Sequence, residues 1–188
     1  MERGEWVRRP KTERRARQGL TVLLALYGAF LAFTPDHYGF MDSVDLPIHE
    51  AGHPLFRIFG EFIGYAGGTL MQLIVPAVFL GYFWRRRDRH AATVMLWWIA
   101  QNLWNISRYI ADARIQELPL VGGGEHDWGY LLGRMGLLRQ DRVISDIVHF
   151  LGVLLFLASC LWGWIYASGT GGEPSNEADG SAAPPSPG

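Results

Sequence analysis

The sequence predicts an all-α, polytopic membrane protein with about four transmembrane helices and one further, partly inserted helix. Three observations carry this expectation. Apolar stretches long enough to cross a bilayer, which takes roughly 20 residues of helix, recur along the 188-residue chain. Polar residues collect at the two ends and in a few loops between those stretches. Several of the eight Trp stand near the stretch ends, where indole rings settle at the level of lipid headgroups. The length suits one domain.

Residues 1–18 are polar and basic and are read as a cytoplasmic N-terminal segment. Residues 19–35 form the first span. The basic part before it is long, and Thr34-Pro35-Asp36-His37 is no small-residue cleavage site, so the run reads as a retained helix rather than a signal peptide. Residues 36–45 read as a polar loop, and 46–60 hold the box His49-Glu50-Ala51-Gly52-His53. Residues 62–84 carry no charge and form the second span. Arg85-Arg86-Arg87-Asp88-Arg89-His90 is a basic loop, and 91–112 form a third span that turns polar towards its end. Residues 113–146 read as a long loop, and 147–167 as the fourth span. From Ser168 onward the composition of Gly, Ser, Pro, Ala and acid predicts a disordered tail, 168–188. The membrane domain is thus 19–167. Its single cysteine, Cys160, lies in an apolar run and reads as a small buried residue.

Charge orients the chain. The first 18 residues carry seven Lys/Arg and 85–90 carry four Arg, and short basic segments stay cytoplasmic. Both termini are then cytoplasmic in a plasma or inner membrane, and the box and the loop around His126 fall on the extracytoplasmic side. Residues 46–60 cannot cross fully without moving the Arg-rich loop outside. With His49, Glu50, His53 and Arg57 in so short a stretch, they are also too polar to face lipid alone. The net charge of −1 argues for no nucleic-acid partner; the expected partners are the bilayer and a membrane-spanning peptide substrate.

In a helix, i and i+4 share a face, so His49 and His53 can bind one ion together. Zinc suits two imidazoles, a further ligand and an open position. Glu50 stands beside them, placed to take a proton from a metal-bound water. Pro47 fits the first turn of such a helix with Ser43 or Asp45 as cap, and Pro54 predicts a bend just past the box. Gly52 leaves room for a neighbouring helix.

Beside transmembrane helices, His49-Glu50-Ala51-Gly52-His53 resembles the box of intramembrane zinc metalloproteases of the site-2 protease type, and the Gly67-Gly68 pair is similar to glycines that follow the box there. The resemblance implies hydrolysis of a membrane or membrane-adjacent peptide. In that family a later span supplies an Asp ligand within an Asn-Pro…Leu-Asp-Gly motif; this chain lacks the motif, and Asn105 and Asp112 echo it loosely.

His126 is the first expectation for the third ligand. It follows Gly122-Gly123-Gly124 and is flanked by Glu125 and Asp127, which can bind directly or orient the imidazole. Asp112 is the alternative, and His149 a further one. Gln101, Asn105, Arg108 and Asp112 form one polar stripe on the third span, expected to face the bundle interior. Arg108 is expected to pair with Asp112 or stabilise an oxyanion. Gln72 is expected to bond a neighbouring backbone or a substrate strand, and His37 and His90 to lie in loops without a role. The expected function is a membrane-embedded zinc-dependent hydrolase, foremost a metallopeptidase with Glu50 as its base. The alternatives are a non-catalytic metal-binding protein (a sensor or assembly factor) and a hydrolase of a lipid or small molecule.

Overall fold

The computed structural model describes residues 10–34, 37–119 and 125–169. Six α-helices follow in order: α1 Lys11–Phe33, α2 Phe40–Arg57, α3 Glu61–Arg85, α4 Arg89–Ala111, α5 Asp127–Arg134 and α6 Asp141–Ala167, the last entered through a 3₁₀ turn at Leu138–Gln140. No strand occurs among the described residues. The glycine triplet and most of the C-terminal tail lie outside them.

α4 is the centre of the bundle. On one side Trp97, Ala100 and Trp104 pack with Leu31 of α1 and Phe156 of α6; on the other Ile106 and Ile110 meet Leu132 of α5 and Ala113 beyond the helix end. Polar bonds mark the two ends of the bundle. Arg17 donates to Asp88 at 3.0 Å, Gln18 to Ser168 at 3.2 Å, and Thr21 meets His90 at 3.0 Å. At the opposite end Arg114 donates to Asp141 at 2.7 Å and Ser145 to the Ser107 carbonyl at 2.8 Å. His90 is therefore a buried residue of the first turn of α4, not a loop residue without contacts.

Three helical segments are long and apolar enough to cross a membrane: α1, α3 and Leu138–Ala167. Their outward faces are apolar, with Leu23, Leu26, Val78, Phe150 and Leu161 each more than half exposed. The interior holds polar residues beside its apolar clusters: Gln72, Gln101, Asn102 and Ser107 are all buried. α4, expected as the third span, is not among the apolar three. Packed against α1, α3 and α6, it need not be apolar all round, and several of its polar residues find partners inside the bundle, among them Trp97, Trp98 and Asn105.

α2 begins six residues after α1 ends and stops three residues before α3 begins. α1 and α4 run parallel, and the short turn after Arg85 makes α3 antiparallel to α4, so α2 enters and leaves at the same end of the bundle. It is longer than the sequence implied. Asp42 and Asp45 are helical rather than loop residues, because both carboxylates face inward (6 % and 1 % exposed). The start is fixed by the Gly39 N–H, which donates to the Asp42 carboxylate at 2.6 Å, an N-terminal bond that supplants the caps expected at Ser43 or Asp45. Pro47 consequently lies inside the helix, and α2 continues through Pro54 to Arg57. Gly60, at φ 108°, makes the turn into α3, a conformation open to glycine and costly for other residues.

Candidate metal centre

α2 and α3 lie in direct contact at the box. A methyl group on Gly52 would collide with the Gly67 carbonyl, and one on Gly68 would land on the His49 imidazole. Hydrogen at these positions lets α3 press the ring of His49 into place. Gly68→Ala is accordingly expected to displace His49 and lower metal affinity at least tenfold, a loss of the size seen when ligand-supporting groups are removed. Gly133→Ala, on a glycine with open space around it, is the matched control, and a chelator-competition titration reads both.

His49 Nδ1 lies 2.8 Å from Gln72 Oε1, and His53 Nδ1 lies 2.9 Å from the Gly64 carbonyl. Both partners are acceptors, so each Nδ1 carries a hydrogen and donates it. That leaves each neutral imidazole with its lone pair on Nε2. Both Nε2 atoms point at one oxygen, Asp127 Oδ2, at 3.0 Å from His49 and 3.4 Å from His53. Burial works to raise the pKa of Asp127, but when the two Nε2 atoms carry extra protons the hydrogen bonds from His49 and His53 outweigh it and hold the carboxyl below its usual range. Three electron-pair donors thus converge on one point. Such a cluster is repulsive unless extra protons or a cation occupy its centre. Glu50 completes it, since one ligand atom each from His49, Glu50 and His53 lie within 4.8 Å of one another, and the group can hold a metal ion.

Of the residues the sequence singled out, the structure brings together His49, Glu50 and His53. It does not bring His126 to them. His126 is the N-cap of α5: its Nδ1 accepts the Gly129 N–H at 3.1 Å, and Nε2 lies 3.3 Å from Asp112 Oδ2. The first contact fixes the neutral tautomer with hydrogen on Nε2, so neither nitrogen has a lone pair left for an ion. Burial pushes this imidazole below its ordinary pKa, against the opposing pull of Asp112. Asp112 is equally engaged, taking the Glu117 and Leu118 N–H groups at 2.9 and 3.1 Å. His149 is held apart, beside Trp104. The carboxylate that does arrive is Asp127, first residue of α5, one position beyond the favoured histidine.

Several contacts hold α5 where it delivers Asp127. Trp128 donates to Thr69 at 3.2 Å, Tyr65 stacks on Tyr130 with ring centroids 4.0 Å apart, and Tyr65 donates to Glu125 at 3.1 Å. Tyr109 of α4 lies against the His126 ring at 4.2 Å and accepts the Asp127 N–H at 3.3 Å. The polar stripe of α4 does face inward, with partners other than those foreseen. Arg108 lies 3.7 Å from Asp42 and donates to the His37 carbonyl at 3.1 Å, away from Asp112. Asn105 joins Gln72 to Asp42.

A cavity of about 140 Å³ opens beside the cluster, lined by Glu50, His49, Asn105, Arg108, Tyr109 and Leu118 among others. It has room for several waters. Comparison with protein-family models, curated proteins and solved structures gives no match.

Proposed function

We propose that the protein is a membrane-embedded zinc-dependent hydrolase, foremost a metallopeptidase, with His49, His53 and Asp127 as ligands and Glu50 as general base. The observation that carries this reading is the convergence of two Nε2 lone pairs and one carboxylate oxygen beside a second, unshared carboxylate on a cavity wall. The spacing fits the ion. Zinc bonds of about 2.0–2.1 Å to nitrogen and oxygen set ligands roughly 3.3 Å apart in a tetrahedron, and the Nε2-to-Oδ2 distances are 3.0 and 3.4 Å. Two histidines and a carboxylate leave one position open, as catalytic sites do.

Zinc bound there supplies a Lewis acid that polarises a substrate carbonyl and acidifies water. The chain's own groups do the rest. Glu50, half-buried between the two histidines and the cavity, accepts the proton of the attacking water on its carboxylate and returns it to the leaving amine. Arg108 and Tyr109 line the same cavity and hold the substrate's polar groups against it. The likeness to the site-2 protease type supports a peptide substrate. There a later span supplies the Asp ligand; here Asp127 offers the same chemical group from the short helix α5.

The membrane arrangement belongs to the same proposal. α1, α3, α4 and α6 span, α2 dips in and returns, the basic end of the bundle is cytoplasmic, and the metal centre faces the other side. A reporter active on one side only, fused after Arg89, should report the cytoplasm; an extracytoplasmic signal overturns this topology. For the activity, zinc-loaded protein is expected to cleave a membrane-spanning peptide and to leave a lipid ester intact. The converse result makes it a hydrolase of lipids, and cleavage of neither leaves a metal-binding protein without hydrolytic function.

A further inference from the structure

We propose that Asp42 acts on the metal centre from a distance, through a hydrogen-bonded chain of two amides that fixes the orientation and strengthens the electron donation of His49. This inference rests on the reading of the cluster as a metal centre. The chain runs across three helices. His49 of α2 contacts Gln72 of α3 at 2.8 Å, Gln72 donates to Asn105 of α4 at 3.1 Å, and Asn105 donates to Asp42, back on α2, at 2.6 Å.

Its direction follows from the chemistry of its far end. An ionised carboxylate only accepts. Asp42 takes the Gly39 N–H on one oxygen and, on the other, Asn105 at 2.6 Å with Arg108 at 3.7 Å. Asn105 must therefore turn its NH₂ to Asp42 and its oxygen to Gln72. Gln72 must in turn present its NH₂ to Asn105 and its oxygen to His49. His49 is left one choice, hydrogen on Nδ1 and a bare lone pair on Nε2, the form that binds an ion. Both amides are directed by one anion, and every donor in the series points towards it.

The two histidines are consequently unequal. His53 rests on a neutral backbone carbonyl, that of Gly64, whereas His49 is joined to a negative charge. Hydrogen bonds in series polarise one another inside a protein; Asp42, Gln72 and His49 are buried and Asn105 partly so, along the wall of the cavity. Partners that orient a ligating imidazole also raise its basicity.

The test is zinc affinity by chelator competition on the purified full chain. Asp42→Asn and, separately, Gln72→Met are expected to weaken zinc binding about 10- to 100-fold while still filling with one ion at saturation. Gln72→Met leaves the start of α2 untouched, so it serves if Asp42→Asn does not accumulate. Gln72→Glu sets a carboxylate directly on His49 Nδ1 and is expected to restore tight binding in the Asp42→Asn background. A purely structural role predicts lower thermal stability in both variants, unchanged zinc affinity and no rescue, and that result overturns the relay alone. A wild type that takes up no zinc overturns the metal reading and the relay with it.

Discussion

Asp127→Ala is expected to weaken zinc binding by more than about 100-fold, since groups one step removed from a metal already contribute about 10- to 100-fold. The substitution removes the carboxylate that both Nε2 atoms contact and leaves Glu50 as the only other acidic group in the cluster, a group that then cannot serve as ligand and base at once. The contrast with its neighbour makes the prediction sharp. His126→Ala removes the cap of α5, about 1 kcal/mol of stability, and takes one partner from Asp112, yet it leaves His49, His53 and Asp127 in the chain. His126→Asn, able to cap through its side-chain oxygen, should recover most of that loss. Zinc titration of the three variants separates the residues: if His126→Ala loses the metal and Asp127→Ala keeps it, the ligand set assigned here is wrong.

The second large effect concerns Glu50→Gln. The glutamine has the shape of the glutamate but cannot accept a proton, so zinc should stay and hydrolysis should fall by about 10²- to 10⁴-fold or more, the contribution of a positioned general base. Single-turnover cleavage of a membrane-spanning peptide by zinc-loaded protein gives the rate, and the metal content of the same sample gives occupancy. Retained hydrolysis removes Glu50 from the mechanism. Loss of zinc together with activity makes Glu50 a ligand, a role open to it because it shares the 4.8 Å cluster with the two histidines.

The box was legible because i and i+4 spacing is a property of the α-helix itself, and so were the long apolar helices, whose pattern needs no partner to be read. What escaped was set by tertiary contact. Asp42 and Asp45 look like loop residues in a linear reading; they are helical because α4 offers them Asn105 and Trp98 as donors at 2.6 and 2.9 Å. Gln72 looked like a residue for backbone or substrate, and its amide instead orients His49. The stretch 113–146 reads as one loop, yet it contains α5 and the start of α6. That short helix decides which side chain reaches the two histidines. Once a helix starts at Asp127, the residue before it turns its ring back on the helix's own amides, and the carboxylate one step later points the other way, into the site. A signal was present, since Asp127 flanked the chosen histidine, but its weight depended on knowing where the helix begins.

Elemental analysis of the purified full chain shows whether His49, His53 and Asp127 hold a metal ion. Wild-type protein is expected to carry one zinc ion per chain after zinc loading and desalting, and His49→Ala next to none. A wild type that emerges metal-free from the same treatment, or a His49→Ala that retains as much zinc as wild type, shows that these residues hold no metal.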